Sequence, residues 1–127
     1  MLLLDADVCV DLARGYPPAL QWFASLTERP ALPGLVVMEL LAGCRNGREM
    51  QVARKFTRRF KLYWPTEQDC ERALDTYAKA KLSHGLSVND ALIAECAIGL
   101  GATLLTINVK HFRAVIGLSH QQPYRKS

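Results

Sequence analysis

The sequence SVNDALIAECAIGL at residues 87–100 decides how this chain folds. The stretch begins with polar residues, becomes almost wholly apolar and contains no proline, which favours a helix. A helix that is apolar on nearly every face is buried inside a layered domain rather than lying on its surface. The carboxylate of Asp90, in the first turn of the predicted helix, is therefore held close to the core, and this position requires an explanation.

Helix capping is the simplest explanation for Asp90. Ser87 and Asp90 have the S-x-x-D spacing of a capping box, in which a hydroxyl and a carboxylate accept hydrogen bonds from free N–H groups of the first turn. Thr66 and Asp69 repeat this spacing, and we expect Asp69 to act only as a cap. Asp90 has a further role only if acids from other parts of the chain lie near it. The helix after Thr66 is expected to carry ordinary solvated residues on its outer face: Glu71, Arg72, Lys79 and Lys81.

The composition indicates a small globular protein. The chain has 127 residues, 50% of them hydrophobic, which suits one domain at 1–127 with a fraying polar tail at about 120–127. The apolar run before Asp5 is too short for a signal peptide, and no stretch reaches the roughly 20 apolar residues of a membrane span. We therefore expect a cytoplasmic protein with no membrane partner. The cysteines lack C-x-x-C spacing, so reduced thiols are expected rather than a zinc site or disulfides: Cys9, Cys44, Cys70 and Cys96.

Short apolar runs alternate with helical patterns along the chain. Strands are predicted at residues 2–4, 31–32, 62–63 and 103–106, with a last extended piece after Gly117. Helices are predicted at residues 8–14, 17–28, 34–43, 45–59, 66–84 and 87–100. This alternation indicates the α/β class, as a three-layer α/β/α sandwich with a short-stranded parallel sheet.

Polar residues gather where the predicted strands end. Asp5 directly follows the first strand, and the turn 106–108 follows the fourth. Ligands bind beyond the carboxyl ends of the strands in such sheets, and the start of the Asp90 helix can reach the same edge. Glu39 is the single charge in an apolar helix, where an ionised carboxylate is rare unless it is paired or bound to metal. Three carboxylates and an amide are therefore expected in one crevice, unless Glu39 is a paired structural acid.

Carboxylates that lie within a few ångströms of one another stay ionised together only when a cation lies among them. Ligand sets of oxygen atoms alone favour Mg²⁺ or Mn²⁺ over zinc. Beside a basic surface, such a site indicates metal-assisted attack of water on a phosphodiester. No Ser-His-Asp or Cys-His arrangement competes with this interpretation. The histidines are expected at the surface: His84, His111 and His120.

The segment 45–61 contains seven Arg or Lys residues and a single acid. A phosphate-rich partner such as RNA suits this charge. A solvated helix face explains it equally well. The candidate phosphate contacts are Arg54, Arg58 and Arg59, and the inner face is predicted to carry Val52 and Phe56.

Four stretches hold most of these polar residues: LLDADV at 3–8, VMELLAG at 37–43, NDALIA at 89–94 and TINVKHF at 106–112. In this order and spacing they resemble the motifs of the PIN domain and, more narrowly, of its VapC-like toxin branch. The ending Gly117-Leu118 and Pro123-Tyr124 is also similar. Each motif alone is weak, but the four together are fairly specific, and the resemblance covers nearly the whole chain.

The resemblance implies a Mg²⁺- or Mn²⁺-dependent endoribonuclease that is the toxin of a toxin-antitoxin pair. It also implies a homodimer and a cognate antitoxin that covers the acidic site. The counterparts of Asp5, Glu39 and Asp90 hold the metal ion in that family. Asn108 stands where many members have a fourth acid. Its amide can orient a water molecule but adds no charge, so a second metal ion stays open.

Two supporting residues of this resemblance carry their own expectations. Asp7 stands where asparagine is common in the family. It is either an extra acid beside the site or the N-cap of the following helix, and the cap is slightly favoured. Thr106 is expected to support the site through a hydrogen bond rather than to touch the metal.

Three other interpretations stay open at this point. In the first interpretation, which Asn108 suggests, the chain is a PIN-like module that binds RNA or a partner without catalysis. In the second, it cuts DNA, which requires the same metal chemistry. A signalling receiver domain is a weaker alternative, because that class needs an acceptor aspartate near residue 50, where this chain has arginines. The target RNA, the antitoxin and the dimer face are not specified. Apolar candidates for the contact faces, which core packing explains as well, are Trp22, Phe23 and Trp64.

Overall fold

The fold is built on short parallel strands, as the computed structural model of residues 1–126 shows. The strands are β1 (Leu2–Leu4), β2 (Leu32–Pro33), β3 (Leu62–Tyr63), β4 (Thr103–Leu105) and β5 (Ser119–Gln121). Strands β1, β4 and β5 form one sheet in the order β1-β4-β5, and β2 pairs with β3. A parallel bridge between Leu3 and Ala31 joins the two sets, and every strand pair is parallel.

Seven helices connect and cover these strands in residues 1–126. The predicted three-layer α/β/α class with a short-stranded parallel sheet is confirmed, because helices alternate with parallel strands along the chain. The core lies around β1 and β4, where Leu3, Leu4 and Leu104 are fully buried. The helices are α1 (Ala6–Arg14), α2 (Pro17–Ala24), α3 (Gly34–Ala42), α4 (Gly47–Thr57), α5 (Glu67–His84), α6 (Val88–Leu100) and α7 (Val109–Phe112).

Helix α6 is the buried helix that its apolar sequence predicts. Ile93, Ala94 and Cys96 are fully buried, and α6 packs along α5. Gly99 lies so close to the Asp69 carboxylate that a Cβ atom there would clash with it. The helices therefore approach closely at this point, and a side chain at position 99 would push them apart.

Glu95, a buried acid on α6, pairs with Arg72 and so corrects the expectation for that residue. Arg72 was expected to be solvated, but its Nε donates to Glu95 Oε1 at 2.9 Å and its Nη2 donates to Asp69 Oδ1 at 2.6 Å. Thr76 Oγ1 donates to Glu95 Oε2 at 2.6 Å. A buried carboxylate needs such partners to offset its lost hydration, and Arg72 supplies one of them from α5. The pattern of charges did not reveal this, because Glu95 lies on a different helix.

Several helix boundaries differ from the expected ones. Helix α1 starts at Ala6 rather than residue 8, because Asp5 is its N-cap, and α2 ends at Ala24 rather than residue 28. Helix α4 covers Gly47–Thr57 instead of 45–59, since the Asn46 side chain caps it. Helix α7, a single turn after β4, was not predicted.

The polar chain end was expected to fray, but it contacts the rest of the domain. Tyr124 donates its hydroxyl to Asp11 Oδ2 at 2.7 Å, and Lys126 forms an ion pair with the same carboxylate. The Tyr124 ring also packs against Tyr16 and Trp22, with centroid distances of 6.0 Å in both pairs. Asp11 is buried, so the chain end satisfies a charge that α1 places in the interior. Ser127 lies outside the described residues.

The inner face predicted for α4 is confirmed for one of its two residues. Phe56 packs against the core, but Val52 is 61% exposed. Trp22 and Phe23 also pack against the core, whereas Trp64 is 56% exposed. The four cysteines are free thiols, of which Cys9 and Cys96 are buried and the others partly buried. None of the helices in residues 1–126 combines the length and apolarity that crossing a bilayer requires.

Candidate active site

Asp5 lies at the carboxyl end of β1, where the chain turns into α1. Its Oδ1 accepts a hydrogen bond from the Ala6 N–H at 2.9 Å, and its Oδ2 accepts one from Thr106 Oγ1 at 2.7 Å. Asp5 is buried and Thr106 fully so. The hydrogen bond expected of Thr106 is therefore present, and it fixes the direction of the carboxylate.

Asp7 is not the N-cap of α1, because Asp5 takes that position. The carboxylate of Asp7 instead reaches the turn after β4, where Oδ2 accepts from the Ile107 N–H at 3.0 Å and the Asn108 N–H at 3.2 Å. This pair of bonds holds the start of α1 against the residues that follow β4. Asn108 is thereby brought to the edge of the sheet where Asp5 lies.

Glu39 projects from α3 and is partly buried. The amide Nδ2 of Asn89, which precedes Asp90 in α6, donates to Glu39 Oε1. Glu39 is therefore paired with a neutral amide and not with a cation. Asn89 was not among the expected site residues, although it lies inside the NDALIA motif beside Asp90.

Asp90 does not complete a capping box. Its N–H donates to Ser87 Oγ at 3.0 Å, so Ser87 is the cap. Asp69 forms the full box, since its carboxylate accepts from the Thr66 N–H at 2.9 Å. The Asp90 carboxylate instead faces His111, with 3.6 Å between Oδ2 and Nδ1. His111 lies at the surface as expected, with its side chain 43% exposed, and it also contacts Asp90.

The four acids influence one another electrostatically. Burial raises the pKa of Asp5 from its ordinary value of 3.8 to about 7, and the charges of Asp7 and Asp90 act in the same direction. Burial also raises the pKa of Asp7 and of Glu39, and for Glu39 the charges of Asp90 and Asp7 add to the effect. Acids from β1, α1, α3 and α6 thus form one negatively charged cluster, here called the acidic cluster: Asp5, Asp7, Glu39 and Asp90.

The acidic cluster fits a hard divalent cation in its chemistry. Its donors are all carboxylate oxygens, and burial raises the pKa of Asp5, Asp7 and Glu39, an effect that a bound cation would offset. Within residues 1–126 no group of three or more acidic, histidine or cysteine side chains is placed to form a ready-made metal site. Mg²⁺ does not require one, because it keeps several water molecules and uses few protein carboxylates.

A family model of the PIN domain matches residues 2–117. The chain belongs to the PIN domain family. This confirms the resemblance that the four sequence motifs indicate, and the motifs lie within the matched residues.

Relatives of this PIN domain include two ribonucleases of Mycobacterium tuberculosis. Ribonuclease VapC19 is 36% identical over 130 residues, which cover 98% of this chain and 100% of the relative. Ribonuclease VapC10 is 33% identical over 115 residues, which cover 88% and 86% of the two chains. A solved toxin-antitoxin complex from Klebsiella pneumoniae contains a chain of the same fold, with 23% identity, a TM-score of 0.80 and coverage of 99% and 100%.

The arginines expected to bind RNA lie away from the acidic cluster of this PIN domain. Arg29 Nε donates to the Arg59 carbonyl at 3.1 Å, and these two residues precede β2 and β3. Parallel strands start at the edge of the sheet opposite to the one where Asp5 follows β1. Arg54 and Arg58 belong to the last turn of α4, next to Arg59. Phosphate binding by these arginines stays a prediction that the geometry does not favour.

Proposed function

We propose that this PIN domain is a metal-dependent endoribonuclease and the toxin of a toxin-antitoxin pair. The observation that carries the proposal is the acidic cluster, in which the start of α1, helix α3 and helix α6 bring four carboxylates together beyond the carboxyl end of β1. The relatives named as ribonucleases span nearly the whole chain, so their likeness includes the segments that supply these acids. The hydrogen-bond partners of Asp5, Asp7 and Glu39 are hydroxyl, amide and backbone N–H groups, which favours a metal ion over a structural ion pair.

Asp5, Glu39 and Asp90 would hold the ion in this proposal. When bound, Mg²⁺ or Mn²⁺ supplies Lewis-acid stabilisation of the charge that develops on a phosphodiester during hydrolysis. Thr106 orients Asp5, and Asn89 orients Glu39, through the hydrogen bonds already present. Side chains with fixed orientation spend less free energy on ordering when the ion binds.

Asp7 and Asn108 have supporting roles in the same proposal. Asp7 fixes the backbone of the turn after β4 through the N–H groups of Ile107 and Asn108. The amide of Asn108 can orient a water molecule by hydrogen bonding. It adds no negative charge, and we therefore propose one tightly bound ion per chain.

The proposed partner is a cognate antitoxin. A groove of about 440 Å³ runs between α1, α3 and α4, and its lining includes Val10, Leu40, Val52 and Phe56. Exposed apolar surface of this kind marks interaction sites, and the solved structure with the same fold is titled a toxin-antitoxin complex. We expect Val52→Glu to weaken the complex with the coexpressed antitoxin. Ile116→Glu, at an exposed position after α7, is the matched control.

We also propose that the protein forms a homodimer. Trp64 packs over Gly34 yet leaves more than half of its surface open, which is costly for a large aromatic side chain in water. Light scattering of the purified protein without antitoxin is expected to give twice the chain mass. A monomer at micromolar concentration would contradict this proposal.

A binding module without catalysis is the second candidate function. Asn108 favours it, because a fourth acid at this position would add the charge that a second metal ion requires. Both functions allow RNA binding, but only the nuclease produces cuts that depend on metal. Cleavage of RNA is distinguished from cleavage of DNA by offering the protein RNA and DNA of the same sequence.

The test of the proposed function is cleavage of a mixed pool of single-stranded and structured RNA by purified, antitoxin-free protein. Discrete cuts with Mg²⁺ or Mn²⁺, and none with EDTA, are the expected result. A folded protein that binds the RNA but leaves it intact with either metal would support the binding module instead.

A further inference from the structure

A cationic pocket adjoins the acidic cluster and has no part in the function proposed so far. The pocket has a volume of about 430 Å³, and its lining comes from the end of α5 and from α7 with the residue after it. No acidic side chain is among the residues that line it. This surface, here called the α5–α7 pocket, is lined by Ser83, His84, Lys110, His111 and Arg113.

His111 connects the α5–α7 pocket to the acidic cluster. It lines the pocket, and its Nδ1 lies 3.6 Å from Asp90 Oδ2. Lys110 and Arg113 flank His111 along the chain, and both are exposed. Their charges are therefore available to a ligand, and His111 between them contacts the proposed metal ligand Asp90.

The opposite wall carries hydrogen-bonding groups. Ser83 Oγ and His84 Nδ1 lie 2.7 Å apart, at the exposed end of α5. A hydroxyl, an imidazole and two permanent cations around one pocket match the oxygen atoms of a phosphate group, which accept hydrogen bonds and carry negative charge. Lysine and arginine that neutralise phosphates are the usual source of affinity for nucleic acid.

We infer that the α5–α7 pocket binds a backbone phosphate of the RNA strand next to the bond that the acidic cluster would cut. The inference rests on the proposed function, because it is the acidic cluster that fixes where the strand lies. A strand with one phosphodiester at Asp90 carries its neighbouring phosphates past His111, toward Lys110 and Arg113. RNA binding is thereby assigned to α7 and the end of α5 rather than to α4.

The test measures binding of a fluorescein-labelled, mixed-sequence single-stranded RNA in EDTA, at several salt concentrations. The double variant Lys110→Ala/Arg113→Ala is compared with Arg54→Ala/Arg58→Ala, which removes the same charge from α4. Each lost phosphate contact lowers the slope of log affinity against log salt by about 0.7 for a single strand. The pocket variant is expected to bind more weakly, with a slope lowered by about 0.7 because one phosphate contact is lost, and the α4 variant to keep the wild-type slope.

Three results would overturn the inference: an unchanged slope in the pocket variant, the loss appearing in the α4 variant instead, or wild-type protein without salt-dependent RNA binding. All four substituted side chains are exposed, and equal melting temperatures verify that the variants fold. Lys110→Arg/Arg113→Lys keeps both charges and should retain the wild-type slope.

The outcome is independent of the test for cleavage. A pocket variant with a lowered slope in EDTA supports the pocket even if no RNA is cut with metal present. Metal-dependent cleavage with an unaltered slope in the pocket variant supports the nuclease but contradicts phosphate binding in the α5–α7 pocket.

Discussion

The Thr106 hydroxyl donates a 2.7 Å hydrogen bond to Asp5 Oδ2 across 101 residues of sequence. The two residues follow β1 and β4, which are neighbours in the sheet. Pairing of the strands thus sets the geometry of a side-chain contact at their ends. Asp5 is buried against α1 and has no freedom to turn toward solvent, so its orientation is built into the fold.

Thr106→Val is expected to lower Mn²⁺ affinity by about 10- to 100-fold, the usual cost of losing a residue that orients a metal ligand. Valine keeps the shape of threonine but does not donate to Asp5. Thr106→Ser keeps the hydroxyl and should retain most of the affinity, which calorimetric titration of Mn²⁺ measures. Equal affinities in the valine and serine variants would show that the hydrogen bond does not matter.

The metal-free protein is expected to lose stability as pH rises. The folded state holds the Asp5 proton more tightly than the unfolded state, because the pKa is about 7 when folded against 3.8 ordinarily. The free energy of unfolding should therefore fall between pH about 4 and about 7, and then level off. At about 1.4 kcal/mol per pKa unit the Asp5 contribution is about 4 kcal/mol at most.

Asp5→Asn tests this pH dependence. The amide carries no charge, so metal-free Asp5→Asn should melt at a higher temperature than the wild type at pH 8, with no such advantage near pH 4. Saturating Mn²⁺ should stabilise only the wild type. Asp75→Asn removes an exposed acid on α5 and should leave the pH profile unchanged. A variant that melts below the wild type at pH 8 would contradict the uncompensated charge of Asp5.

Arg72→Met is expected to destabilise the fold, because Glu95 stays buried and loses its cation. Removing one partner of a buried ion pair leaves an uncompensated buried charge. The loss is smaller here than for a fully buried pair, since the Arg72 side chain is 44% exposed. Urea unfolding measures the change. Lys79→Met, at an exposed position of the same helix, is the control, and an equal effect of both substitutions would exclude a specific role for the ion pair.

Tyr124→Phe is expected to lower the free energy of unfolding by about 1–2 kcal/mol, since the buried Asp11 carboxylate loses a hydrogen bond. The ring contacts with Tyr16 and Trp22 remain. Limited proteolysis should also release the chain end faster than in the wild type. Tyr63→Phe, on the edge strand β3, is the matched control. Unchanged stability and proteolysis would mean that Lys126 alone satisfies Asp11.

The sequence was sufficient to predict the layers, the buried α6 helix and the acids at the strand ends. Asp5 directly follows an apolar run, and such a residue lies at the carboxyl edge of a parallel sheet. Glu39 and Asp90 are acids in apolar helices. Each of these observations is local, so the pattern of residues reveals it.

The remaining contacts depend on distances between segments that are remote in sequence. Arg72 meets Glu95 from a different helix, and Asn89 meets Glu39 across 50 residues. His111 approaches Asp90 because α7, one turn long, follows β4. A helix this short has no periodicity to detect, so its residues were assigned to a turn. Phosphate binding by Arg54, Arg58 and Arg59 stays a prediction, because local charge does not indicate the edge of the sheet on which it lies.

The most direct test of the account compares the RNA cleavage rate of Asp90→Asn with that of Asp75→Asn at the same Mn²⁺ concentration. Both substitutions remove one carboxylate, but only Asp90 belongs to the acidic cluster. Asp90→Asn is expected to cut at least about 100-fold more slowly, because a proposed metal ligand is lost and residues that only orient such a ligand already contribute up to about 100-fold. Asp75→Asn should cut at the wild-type rate. Asp90→Asn that folds and cuts as fast as the wild type would show that the acidic cluster is not the catalytic centre.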